Sequence, residues 1–276
     1  MFSEEELIQR LAKKANELRY KMIELMIDSK SGHPGGALSS AEIITALYFN
    51  FLNIDPKNPK WPQRDRFILS KGHSAPILYI ALAEKGFFPK EALKTYRRYG
   101  SILQGHPYMK KTPGIDMSTG TLGQGLSPAV GMAIAGKADN MDYTVYVILG
   151  DGEINEGQVW EAAMLAGNKK LDNLIVFIDY NKLQFDGYCS EVMDLEPLAD
   201  KWRSFKWEVI EIDGNDMAQV YATIKRSKNI KGKPVCIICH TVKGKGISFM
   251  ENKVEWHAIA NQEMLGKALI ELKDKF

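Results

Sequence analysis

Apolar side chains recur at three- and four-residue steps over residues 3–28, at Leu7, Ile8, Leu11, Ala15, Leu18, Met22, Leu25 and Met26. That spacing gathers them on one face of an amphipathic helix. Ser3, with Glu6 three residues on, supplies a capping-box pair for its start. The segment SKSGHPGG (29–36) cannot continue the helix and predicts a loop, with a second helix over about 40–51. A Pro- and Asn-rich loop follows at 55–65, then a short strand at 66–70 that ends in Lys71-Gly72-His73. Residues 75–85 and 89–99 read as helices. Residues 100–125 are glycine-rich and aperiodic, and long loops in compact domains are usually functional or disordered.

The second half alternates more cleanly. YTVYVIL (143–149) is an apolar, β-branched run, 156–167 is helical, and LIVFI (174–178) is another strand. Further strands are predicted at 207–212 and at PVCIIC (234–239), with a helix over about 217–227 between them and a short helix over 261–276. Continuous Val/Ile strands separated by helices predict an α/β fold with a mostly parallel sheet flanked by helices. No repeat, low-complexity tract or linker divides the chain, so one domain over 1–276 is expected.

Composition narrows the class. Lys+Arg (36) against Asp+Glu (34) leaves a formal charge of +2, which gives no basic field for nucleic acid. No run approaches the ~20 apolar residues of a membrane span, and the acidic N-terminus lacks a signal-peptide core. Three cysteines in 276 residues make no disulfide framework, which favours a reducing compartment and a cytoplasmic location.

The first informative site is Gly150-Asp151-Gly152-Glu153, directly after YTVYVIL; the second is Asn181, directly after LIVFIDY. Parallel strands end on one edge of a sheet, where open α/β sheets bind ligands. Asp151 and Asn181 are therefore expected in one crevice. A carboxylate and an amide oxygen are hard donors that suit Mg²⁺, or Ca²⁺ or Mn²⁺ in its place, with phosphates and water completing the shell. Gly150 and Gly152 would let the backbone turn sharply and a phosphate approach. Alone, GDG is a turn and Asn181 a strand-end Asx residue; their paired placement points to a ligand.

The histidines point the same way. Of five, His33, His73 and His106 each follow a glycine, where chance predicts about 0.4 such pairs. Gly-His in a loop presents imidazole from flexible backbone to a hydroxyl-rich or phosphorylated ligand.

GDGE followed by N-K-L-Q (181–184) resembles the diphosphate-binding motif of thiamine-diphosphate enzymes. SGHPGGALS (31–39), SKGHSAPILY (70–79), GHP (105–107), STGTLGQGLSPAVGMA (118–133) and TVKGKGISF (241–249) together resemble the transketolase family. The likeness runs from about residue 10 to 265 and matches only the N-terminal, diphosphate-binding domain, as in split, two-chain transketolases. It implies thiamine diphosphate and a divalent cation as cofactors and sugar phosphates as substrates, with a two-carbon ketol unit moved from ketose to aldose. By resemblance His33 and His106 contact sugar hydroxyls, His73 lies by the diphosphate, and His257 reaches diphosphate and donor carbonyl. Asp151, Asn181 and the Leu183 carbonyl hold the metal, with Gly152 against the diphosphate. Gly120, Thr121 and Leu122 touch thiazolium and diphosphate, and Glu156 links across a subunit interface to the cofactor-activating acid. Thr121 stands where many members carry proline, and Ala258 where many carry glycine.

The acid that activates the cofactor's pyrimidine belongs, by the same resemblance, to the second domain of the opposite subunit. Only 19 residues follow His257, far below the ~100–150 of a further domain. The expectation is a C-terminal-half partner chain, most simply in an α₂β₂ heterotetramer. The alternatives are a non-catalytic, regulatory cofactor-binding chain and a chain of another thiamine-diphosphate enzyme, deoxyxylulose-phosphate synthase-like or 2-oxoacid dehydrogenase α-like. Two decoys carry little. The glycines of 120–125, before a helix, do not have the GxGxxG spacing. Cys236-Ile-Ile-Cys239-His240 fits a haem-attachment pattern, but in a strand positions i and i+3 face opposite sides.

Overall fold

Five parallel strands lie in the order β1-β2-β3-β5-β4 in the computed structural model, which describes residues 2–258, 262–273 and 275. They are β1 (Arg66–Leu69), β2 (Val145–Gly150), β3 (Leu174–Tyr180), β4 (Glu208–Asp213) and β5 (Val235–His240). β2 and β3 are buried along their whole length, as continuous apolar runs require when helices cover both faces. β4, EVIEID, alternates apolar and acidic residues and stays half-exposed at the edge.

Pleating sends alternate residues to two cores. Tyr146, Ile148, Ile175, Phe177, Ile237 and Cys239 face the larger one. It is closed by α1 (Glu4–Ser29), α3 (Ala41–Ala46), α4 (Ala75–Lys85), α9 (Met217–Ser227) and α10 (Gln262–Lys273). Val145, Val147, Val176, Ile178, Cys236 and Ile238 face the other core, closed chiefly by α5 (Leu126–Ala138), α6 (Gly157–Asn168) and α8 (Leu198–Ser204). Cys236 and Cys239 thus point to opposite faces, both buried. Short helices α2 (Pro34–Ser39) and α7 (Cys189–Val192) complete the set. Among the described residues no helix is long and apolar enough to cross a membrane.

The capping box at Ser3 forms: Glu6 N–H donates to Ser3 Oγ at 3.1 Å, and Ser3 N–H to Glu6 Oε2 at 2.8 Å. Three local expectations change. Pro34 begins a helix inside the stretch read as a loop, because a proline at the first helical position gives up no hydrogen bond. The helix expected over 40–51 is interrupted, with α3 passing into a π-helical turn at Leu47–Phe51. No α-helix spans 89–99: a 3₁₀ segment at Lys90–Thr95 gives way to Arg97 in the left-handed region (φ 59°). Of the helix expected over 261–276, Asn261, Asp274 and Phe276 lie outside the described residues. Helix α8 was not foreseen; it stacks Trp202 edge-on to Trp207, ring centroids 4.8 Å apart, beside β4.

Behind the site, α1 is bolted to the chain that follows the first glycine-rich loop. Buried Arg19 donates to both oxygens of Glu42 at 2.7 and 2.6 Å and to the Leu38 carbonyl. A bidentate buried pair with its remaining donors satisfied is rigid, so the floor under residues 31–36 is held from below.

Candidate active site

Gly150 and Asp179 are register partners at the carboxyl ends of β2 and β3. The next residue on one strand is Asp151, and two residues on along the other is Asn181, so both emerge at one edge. Asp151 and Asn181 are buried. The Asp151 carboxylate accepts from the Gly152 N–H at 2.8 Å and the Lys182 N–H at 2.6 Å, and Asn181 Oδ1 accepts from the Leu183 N–H at 3.1 Å. Burial, and then the charge of Asp179, pushes the Asp151 carboxyl up to about 7. Neither Gly150 nor Gly152 has a left-handed φ. The sharp turn expected of them is instead a 3₁₀ turn at Gly152–Asn155. Gly152 serves close packing: a Cβ there would meet the Gln184 Cβ at 2.8 Å.

Four histidines from four distant segments converge above this edge. His33 lies 5.6 Å from His73, 6.5 Å from His106 and 5.8 Å from His257, ring centre to ring centre, and His73 stacks on His257 at 5.2 Å. Burial lowers each of them first. His33 falls to about 4 with the help of Arg97, and His257 to about 4 with the help of Lys243. His73 falls well below the usual imidazole value, and His106 is lowered by burial and by Arg97. All four are neutral at pH 7, each with one donor and one acceptor nitrogen. The Nδ1 of His33 is buried and has no hydrogen-bond partner. His240 stands apart and pairs with Glu211.

A cavity of about 340 Å³ opens here, lined among others by Lys71, His73, Leu122, Asp151, Asn181 and His257. Gly152, Glu156 and Leu183 also border it. His106, Gly120 and Thr121 line a neighbouring depression of about 570 Å³, and the His33 ring lies between the two groups. Gly120 (φ +154°) presses on His106: a Cβ would meet its Cδ2 at 3.2 Å. Glu156 is exposed at the start of α6 with no ion pair among the described residues.

A family model described as transketolase, thiamine diphosphate binding domain, matches residues 11–271. The chain belongs to the transketolase family. This transketolase chain is 50% identical to a 6-deoxy-6-sulfo-D-fructose transketolase subunit of Clostridium sp. (strain MSTE9), over 94% of each protein. It is 42% identical to an apulose-4-phosphate transketolase subunit of Phocaeicola vulgatus, over 97% of this chain and 95% of that protein. The transketolase of Campylobacter jejuni superposes on 97% of the chain with a TM-score of 0.90 at 34% identity. The chain spans only 42% of that protein, and 40% of the human transketolase, to which it is 40% identical.

Sequence reasoning missed the buried charges around this site. Asp179, fully buried, accepts from Ser39 Oγ at 2.6 Å and pairs with Lys71 and Thr241. Glu153 ties three segments together, accepting from Gly150 N–H and Gly123 N–H, both at 3.0 Å, and from Ser70. Lys243, also buried, donates to the Leu183 and Gln184 carbonyls at 3.1 Å and lies 3.3 Å from His257 Nδ1. Both lysines follow strands and precede glycines, a pattern that otherwise reads as solvated loop. Their signal was their place inside two of the family stretches.

The donor set fits a divalent cation that shares its shell with a diphosphate. Among the described residues no three His, Cys, Asp or Glu side chains could hold a metal by themselves. One carboxylate, one amide oxygen and the Leu183 carbonyl leave the other positions to phosphate and water, the usual Mg²⁺ arrangement. Lys243 already donates to that carbonyl, which keeps a second lone pair. Two buried ammonium groups, Lys71 and Lys243, suit an anion in the same cavity. A pH dependence follows. Folding raises the Asp151 pKa, so the apo chain holds a proton there below about 7, and ligation must expel it. Affinity for Mg²⁺ with thiamine diphosphate should rise by about tenfold between pH 6 and 8, most of it below pH 7, and level off above pH 8. Titration calorimetry of the chain with Mg²⁺ and thiamine diphosphate over that pH range checks this against Asp151→Asn. A wild-type slope no steeper than that of the variant contradicts it.

Proposed function

We propose that the chain is the diphosphate-binding subunit of a two-chain transketolase that moves a two-carbon ketol unit from a ketose to an aldose. One observation carries the reading: four neutral imidazoles converge over a strand-end carboxylate and amide that could hold a metal diphosphate. When bound, thiamine diphosphate supplies the electron sink for C–C cleavage beside a carbonyl. Asp151, Asn181 and the Leu183 carbonyl hold the cation; Gly152, His73 and the Gly120-Thr121-Leu122 loop border the cofactor. His257 donates a hydrogen bond to the donor carbonyl, and His33 and His106 bind sugar hydroxyls and pass their protons. Glu156, exposed and with no ion pair among the described residues, would reach a second subunit.

The partner is inferred from two relatives of matching length that are named as subunits. It would supply the acid for the cofactor's pyrimidine, with α₂β₂ the simplest assembly. Both names describe a sugar with a phosphate or sulfo group, so a ketose with a terminal anion is the proposed donor class. A cytoplasmic location accords with that chemistry. Purified alone, the chain should give less than about 1% of the ketol transfer seen when the C-terminal-half chain is added, with xylulose 5-phosphate as donor. Full activity from the lone chain, or turnover of pyruvate instead of the ketose, would overturn the reading.

A further inference from the structure

Arg97 adjoins the histidine cluster without lining its cavity. Its left-handed backbone is a conformation a residue with a Cβ adopts only when its surroundings impose it. The imposed contact is local: Arg97 N–H donates to the Leu103 carbonyl at 2.8 Å and closes the loop between them. From there the side chain reaches two histidine-bearing segments. Nη1 donates to Ser31 Oγ, two residues before His33. The Nε–Nη2 edge of the guanidinium also packs against Gly105, the residue before His106, where a Cβ would come within 2.9 Å of Nε and Nη2. Nε is buried without a hydrogen-bond partner, and among the described residues no carboxylate neutralises this cation.

We propose that Arg97 is a positioning residue that ties the His33 loop to the His106 loop and so sets the spacing of the two imidazoles that would meet the sugar. The inference rests on the transketolase reading for its substrate. The clamp itself stands on contacts within this chain. Ser31 and Gly105 are separated by α2, α3, β1 and α4 in sequence, and the Arg97 side chain spans them. The guanidinium can hold a hydroxyl through Nη1 while its Nε–Nη2 edge packs against a glycine; a lysine ammonium cannot do both. Its charge acts as well. His33 is faced by Arg97 and by the imidazoles of His73, His106 and His257, and His106 by Arg97 and His33. No carboxylate is among these groups, so the uncompensated cation favours the neutral form of both rings.

Two arms test the clamp. In the complex with the partner chain, Arg97→Lys and Arg97→Gln should lose about 10- to 100-fold in kcat/KM for the donor ketose, with affinity for thiamine diphosphate within twofold of wild type. Gly105→Ala, whose methyl group displaces the guanidinium while Arg97 remains, should shift kcat/KM in the same direction. In the lone chain, proton NMR titration of the histidine C2–H signals should show the His33 and His106 midpoints rising in Arg97→Gln. Unmoved midpoints overturn the proposal, as does a change of twofold or less in kcat/KM, or a loss of cofactor affinity that matches the loss of turnover. If the wild-type complex transfers no ketol unit, the transketolase reading fails alone, and the NMR arm still decides whether Arg97 governs the two histidines.

Discussion

Asp151→Asn should bind Mg²⁺ and thiamine diphosphate at least 10- to 100-fold more weakly than the wild type, the loss usual even for a residue that only supports a ligand. The substitution keeps an oxygen that can accept from the Gly152 or Lys182 N–H, so the turn at the end of β2 should persist. It also removes a charge that burial and Asp179 disfavour. Stability should therefore hold or rise slightly, with a melting temperature no lower than that of the wild type. Calorimetric titration in the presence of the proposed partner chain reads the affinity, and thermal unfolding reads the rest. Unchanged affinity would remove Asp151 from the metal site; a collapse in melting temperature would make it a structural residue.

His33→Ala and His257→Ala should each lower kcat by about 10²- to 10⁴-fold, the range for a positioned group that moves a proton. Neither should lower the melting temperature by more than a few degrees. His33 Nδ1 has no hydrogen-bond partner to lose, and His257 meets the exposed Phe185 ring and the His73 ring rather than a packed core. His240→Ala is the control: this histidine pairs with Glu211 at an exposed position, and its loss should leave turnover unchanged. Normal specific activity in either site variant, combined with a large loss of melting temperature, would make the cluster structural.

What could be read from the chain alone was whatever depends on neighbours in sequence. Helix α1 needs only its spacing and the Ser3–Glu6 box, both local. Strands β2 and β3 needed only unbroken apolar runs, because a strand buried on both faces has no polar side to alternate. The shared edge of Asp151 and Asn181 followed from one further rule, that strands joined by a crossover helix run parallel. The opposite facing of Cys236 and Cys239 required no more than the two-residue period of a strand.

Tertiary structure decided whatever depends on distant segments meeting. The 89–99 stretch has helical composition, but Arg97 is drawn into a left-handed turn by Leu103, and its side chain is spent on Ser31 and Gly105. The burial of Lys71, Asp179 and Lys243 could not be inferred from residue types that are nearly always solvated. Each is stabilised by partners dozens of residues away, which local pattern does not register. Three of the four histidines could be suspected from the glycines before them, and His257 from the family resemblance, but their 5–6.5 Å spacings exist only because the sheet edge and three loops come together. Periodicity encodes which side of an element is wet or dry; it carries no information on which dry sides meet, and the chemistry of this site lies where they do.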